Sequence, residues 1–323
     1  MTRSPLRRAG LAGACLLAAV LPGVWLHGCG DGPAEERVAF VSIPPQAYFA
    51  ERIAGDRFKV VPLLGPGDSP ATYSPPMKQM VELDHAALYL RIGVPFEQAL
   101  LPKIDTSDGR PRIVDTSRGV AMRSMKPRGD DHDHHDHHDH DHGHDHGARD
   151  PHIWLSPRRV QTVAATMAEA FIAADPEHAE EYRRNLEAFQ ADLDALDREL
   201  EETLGPLAGQ KIYVYHPAYG YLAEDYGLVQ EPVEIEGKQP SEKRIGRIAE
   251  NAVGDGVRVI FVQPQFSDES ARTLADEMER LYRADGRDVS VAVVPMDPLA
   301  RDYLANMRTL AGRIRDALSG GGD

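Results

Sequence analysis

Residues 175–204 run without a glycine, and without a proline after Pro176, while Tyr182, Leu186, Phe189, Leu193, Leu196 and Leu200 recur at steps of three and four. Steps of that size keep one face of a helix apolar. Asp175 and Pro176 read as an N-cap followed by proline at the first helical position. At 1.5 Å per residue such a rod is about 45 Å long, the span of a whole small protein. An element of that length connects two lobes rather than lying inside one.

The flanks fit two lobes. Before the rod, short apolar runs at 38–43, 58–64 and 87–92 read as strands, with helical stretches at 46–53, 77–84 and 157–174. After it, 211–215, 228–233, 257–262 and 289–294 read as strands, and 219–226, 241–253, 268–282 and 303–318 as helices. Such alternation builds βα units around mainly parallel sheets. The expected fold is α/β: a first lobe over 37–174, a rigid connecting helix over 175–204, and a second lobe over 205–323. Ligands of such sheets lie beyond the carboxyl ends of the strands.

One segment cannot join either core. Residues 130–146 read DDHDHHDHHDHDHGHDH, with nine histidines (His132, His134, His135, His137, His138, His140, His142, His144 and His146), seven aspartates and one glycine. It has nothing apolar to bury, so the loop over 130–147 is expected to be disordered. Neutral imidazole is a ready ligand for zinc, copper and nickel, and the carboxylates add negative potential. The tract therefore signals metal handling, either as the main site or as an accessory to one.

The amino-terminal residues place the chain. Arg3, Arg7 and Arg8 precede a mostly apolar stretch over 9–26 that is short for a membrane span, so residues 1–28 read as an export signal. Leu26-His27-Gly28-Cys29 resembles the lipobox of bacterial lipoproteins, although histidine is unusual at its position. Lipidation at Cys29, followed by a tether over 29–36, would anchor the protein at the periplasmic or extracellular face of a membrane. Cys15 lies inside the signal, so the mature chain keeps one cysteine and no thiolate metal site. Loss of the three arginines takes the formal charge from −15 to −18. That excess of acid argues against nucleic acid and favours cations.

Four histidines lie outside the signal and the tract. His178 falls in an acidic helical run that faces solvent, and His85 sits where a helix ends, suited to a contact with the helix dipole. His216 and Asp297 end the apolar runs KIYVY and VAVVPM, each followed by proline. His152 follows Asp150-Pro151 and precedes the apolar Ile153-Trp154-Leu155. These three are the candidate metal ligands. Imidazole and carboxylate without sulfur suit zinc, nickel, cobalt or iron better than manganese.

DPHIWLSP (150–157), YHPAYGYLAEDYGL (215–228), VIFVQPQFS (259–267) and MDPL (296–299) resemble blocks of the periplasmic zinc- and manganese-binding proteins of ABC importers, the cluster A-I solute-binding proteins. The resemblance covers nearly all of the mature chain, and the tract sits where zinc-type members carry a His-rich loop. It implies two lobes with a metal cleft between them, His152, His216 and Asp297 as ligands, Zn²⁺ as the transported ligand and an ABC permease as partner. It implies no enzyme, and no HExxH occurs. A monomer is expected. The alternatives are a metal buffer or adhesin of the same fold, or a carrier of Mn²⁺ or Ni²⁺. One position departs from the pattern. Where the family carries a histidine in S-P-H-x-Y, this chain reads Ser69-Pro70-Ala71-Thr72-Tyr73, and alanine cannot bind metal. Water or a tract histidine is the expected fourth ligand, ahead of Asp68 or Glu97.

Overall fold

The computed structural model describes residues 37–125, 149–234 and 239–320. The export signal, Cys29 and the nine tract histidines lie outside these residues. The first sheet consists of β1 (Val38–Val41), β2 (Lys59–Pro62), β3 (Leu88–Arg91) and β4 (Arg112–Asp115), all parallel, in the order β2-β1-β3-β4. The second consists of β5 (Lys211–Val214), β6 (Val229–Pro232), β7 (Val259–Val262) and β8 (Ala292–Pro295), again all parallel, in the order β6-β5-β7-β8. The two orders are the same. Each sheet starts near its centre and steps outward both ways, which leaves a crevice where the direction reverses, beyond β1 and β3 in one lobe and β5 and β7 in the other. The α/β fold read from the sequence is the fold observed.

In the first lobe α1 (Pro44–Ala54), α2 (Met77–Asp84) and α3 (Phe96–Leu100) alternate with the strands, and α4 (Pro157–Ala174) follows. Ser156 caps α4 by accepting the Arg159 N–H, with Pro157 at the first helical position. The long apolar stretch forms α5 (Ala179–Leu204), preceded by a 3₁₀ turn over Pro176–His178. In the second lobe α6 (Gly220–Asp225), α7 (Glu242–Gly254) and α8 (Glu269–Ala284) follow their strands, and α9 (Tyr303–Ser319) comes last. α9 returns to the first lobe: Tyr303 meets Phe49 of α1 edge-on, with centroids 4.8 Å apart. Phe49 in turn packs on Phe189 of α5 at 5.8 Å. One apolar core thus runs from the first sheet through α4, α5 and α9 to Ile212 and Val214 of β5. The opposite face of β5 buries Tyr213 and Tyr215 with α7 and α8. Sheets covered on both faces give the continuous apolar strands seen in the sequence.

The junction before α5 is pinned by Asp175, whose side chain is 2% exposed. Tyr182 and Arg37 donate to it at 2.6 Å each, and His178 Nδ1 lies 2.7 Å away. His178 is therefore half-buried against a carboxylate rather than open to solvent. Burial alone would raise the Asp175 pKa, but the bonds from Tyr182, Arg37 and His178 together outweigh it and hold it at about 2. A carboxylate shifted down on folding stabilises the native state above its unfolded pKa, and that contribution fades as pH falls through the native one. A loss of about 2 kcal/mol is expected between about pH 4 and pH 2. Urea unfolding across this range should show it in the wild type and not in Asp175→Asn; equal slopes in both would rule the assignment out.

Candidate metal site

The second lobe builds its half of the site from strand ends. β5 pairs Val214 with Pro232 of β6 and with Phe261 of β7. Two residues further on, the same register sets His216 level with Glu234 and Gln263. The Gln263 side chain clamps the His216 backbone, accepting its N–H at 3.2 Å and donating to its carbonyl at 2.7 Å. The ring of His216 stacks on Phe266, with centroids 5.1 Å apart and planes at 28°. Its Nδ1 lies 2.5 Å from Glu234 Oε1, and Glu234 is buried.

The first lobe supplies His152 just before a 3₁₀ turn over Ile153–Leu155. Its backbone N–H and its ring Nδ1 both reach Asp150 Oδ1, at 3.0 and 2.7 Å. The buried turn is nailed across the lobes by Trp154, whose Nε1 donates to the Pro298 carbonyl at 2.8 Å. Burial pushes the His152 imidazolium below its usual pKa, against the pull of Asp150. Each imidazole is thus held by a carboxylate at Nδ1, which places the proton there in the neutral ring and the lone pair on Nε2. The two Nε2 atoms are 3.3 Å apart. Two lone pairs aimed at each other repel, and a cation between them turns that repulsion into two bonds. Tetrahedral zinc, with Zn–N of about 2.0–2.1 Å, sets its nitrogens about 3.3–3.4 Å apart.

The other candidates lie differently. Asp297 follows β8, with its Oδ1 accepting from Gln265 Nε2 at 3.0 Å and from the Leu299 N–H at 2.9 Å. Among the described residues no group of three or more His, Cys, Asp or Glu side chains is close enough to hold an ion. The structure brings His152 and His216 together and leaves Asp297 bonded to Gln265. Ala71, His152, His216, Gln263, Gln265 and Phe266 line one cavity of about 480 Å³. Asp68 is turned to the Gly65 N–H at 2.8 Å. Glu97 is buried, accepting from Ser42 Oγ at 2.6 Å and from the Ile92 and Gly93 N–H groups at 2.9 and 2.8 Å. Its burial, opposed by those bonds, raises its pKa. Glu97 is thus committed to the Ile92–Gly93 loop through both oxygens, and Asp68 to the Gly65 turn through one. His85 Nδ1 meets the Val81 carbonyl at 2.7 Å at the end of α2. Sequence reasoning missed Asp150, Glu234 and Gln263. Only Asp150, two residues before His152, left a local signal, because a short acidic side chain commonly bonds the backbone two residues on.

Two parallel-sheet lobes, a helix shared between them and paired histidines facing each other across the lobes define a two-lobed metal-binding protein. Comparison with known proteins narrows the class. The family profile of ZnuA, zinc-uptake complex component A, periplasmic, matches residues 40–317, and the chain belongs to this family. The chain is 27% identical over 270 residues to the high-affinity zinc uptake system protein ZnuA of Bacillus subtilis, covering 83% of each chain. It is 29% identical over 270 residues to the zinc-binding lipoprotein AdcA of Streptococcus pneumoniae, covering 81% of this chain but 52% of that longer relative. A crystal structure of ZnuA superposes with a TM-score of 0.76 at 33% identity, over 88% of this chain and all of that one. Proteins of this family are metal carriers, not enzymes.

Proposed function

We propose that this protein is a lipid-anchored solute-binding protein that captures Zn²⁺ outside the cytoplasmic membrane and delivers it to an ABC permease. The observation that carries the reading is the pair of Nε2 atoms 3.3 Å apart, each ring held at Nδ1 by a buried carboxylate. His152 and His216 are the imidazole ligands, and Asp297 joins them by exchanging its bond with Gln265 for the metal. Water or a tract histidine fills the position that Ala71 leaves without a donor. The tract collects zinc weakly and exchanges it fast, while the cleft holds one ion. The relatives named for zinc binding and zinc uptake support this cargo, and Cys29 is the anchor. Among the described residues no helix is long and apolar enough to cross a membrane.

Replacing all nine tract histidines with serine tests the reading. Competitive titration against a chromophoric chelator should show fewer zinc ions bound in total and one tight site retained. Loss of all tight binding would move the main site to the tract and sink the cleft assignment. The retained site should weaken in acid, because imidazole must be neutral to ligate, and burial moves the protonation of His152 below the usual imidazole range.

A further inference from the structure

Asp150 is gripped from both sides. Its Oδ1 takes the two N–H groups of His152, while its Oδ2 faces the guanidinium of Arg123, with Nη1 at 3.3 Å. That guanidinium occupies a notch in the other lobe. A β-carbon on Gly220 would stand 1.2 Å from Arg123 Nη1 and 3.1 Å from Asp150 Oδ2. Gly220 is not among the glycines with positive φ, so alanine is acceptable to its backbone and the requirement is one of space. The next residue completes the seat. The Tyr221 hydroxyl accepts the backbone N–H of Arg123 at 3.0 Å and donates to the Asp150 carbonyl at 2.8 Å. Its ring lies 5.7 Å from the Arg123 guanidinium and 4.4 Å from that of Arg159. Glu224 meets Arg123 Nε at 3.4 Å.

We propose that Arg123 is a positioning residue for zinc capture: seated in the notch left by Gly220, it fixes Asp150 and, through it, the tautomer and ring direction of His152. The inference rests on His152 being a ligand. Partners behind a metal-bound histidine set its orientation and basicity, and losing one typically costs about 10- to 100-fold in affinity. Here that partner is itself tied to the second lobe, so the direction of a first-lobe ligand depends on how α6 seats against Asp150.

The test uses the full chain with its tract histidines replaced by serine. Zinc affinity is read by chelator competition, and the visible spectrum of one bound Co²⁺ reports the ligand geometry. Arg123→Ala and Gly220→Ala should each weaken zinc about 10-fold, the lower end of what loss of Asp150 itself would cost, and alter the cobalt spectrum. The double variant should match the weaker single one, because the alanine at 220 has no guanidinium left to displace. Arg123→Lys should recover part of the loss. Affinities within twofold of the parent, or losses that multiply in the double variant, would overturn the proposal. If Arg123→Ala does not fold, the same comparison between Gly220→Ala and Arg123→Lys decides. His152→Ala separates the two levels. If it leaves the tight site intact, the ligand assignment has failed; if it removes the site while Arg123→Ala is silent, only the positioning role has failed.

Discussion

Replacing His216 with alanine should remove the tight zinc site and leave the weaker tract sites in place. The change takes away one of two facing Nε2 donors and strands Glu234, a buried carboxylate that then has no imidazole beside it. Loss of an outer partner alone costs about 10- to 100-fold, so loss of the ligand itself should exceed about 100-fold. Glu234→Gln should cost no more than that loss of about 10- to 100-fold, since an amide can hold Nδ1 but adds no negative charge to the ring. Chelator competition on the variant lacking tract histidines gives both numbers. Unchanged affinity in His216→Ala would strike His216 from the ligand set.

Trp154→Ala should produce the largest loss of stability. The indole is 1% exposed and donates to the Pro298 carbonyl of the opposite lobe. Removing a large buried aromatic costs about 3–5 kcal/mol, and here the change also leaves a carbonyl without its donor. The centroid of the same ring lies 5.2 Å from that of His152, so zinc affinity should fall with stability. Trp154→Phe, which keeps much of the volume and loses the N–H, should cost about 1 kcal/mol. Urea unfolding measures both variants, and a loss under about 1 kcal/mol in Trp154→Ala would show that this contact does not hold the lobes.

Much of the fold was legible because its signals are local. The face of α5 shows in apolar spacing, the start of α4 shows in Ser156-Pro157, and seven of the strands show as short apolar runs. β4 (Arg112–Asp115) was missed: it is a partly exposed edge strand with charged residues at both ends, which is how an edge avoids further pairing. α3 was missed because five residues are too few to display a period. His152 and His216 stood out because each sits where an apolar run meets a proline or a turn. Their approach to 3.3 Å was not legible, because it depends on how the lobes pack. Glu234 lies 18 residues from its histidine, and only the parallel register of β5 and β6 sets them level. Gln263 reaches His216 by the same geometry through β7. The notch at Gly220 was invisible for a related reason: what fills it comes from the other lobe.

The ion is expected to rest between the two lobes and not in the tract. X-ray absorption at the zinc edge, on the full chain with serine at the nine tract positions and one equivalent of zinc, decides between the two places. The expected result is a four-coordinate ion with two imidazole nitrogens at about 2.0–2.1 Å and oxygen in the remaining positions, an imidazole signal that His216→Ala then diminishes. A zinc spectrum without imidazole, or one that His216→Ala leaves unchanged, would contradict it.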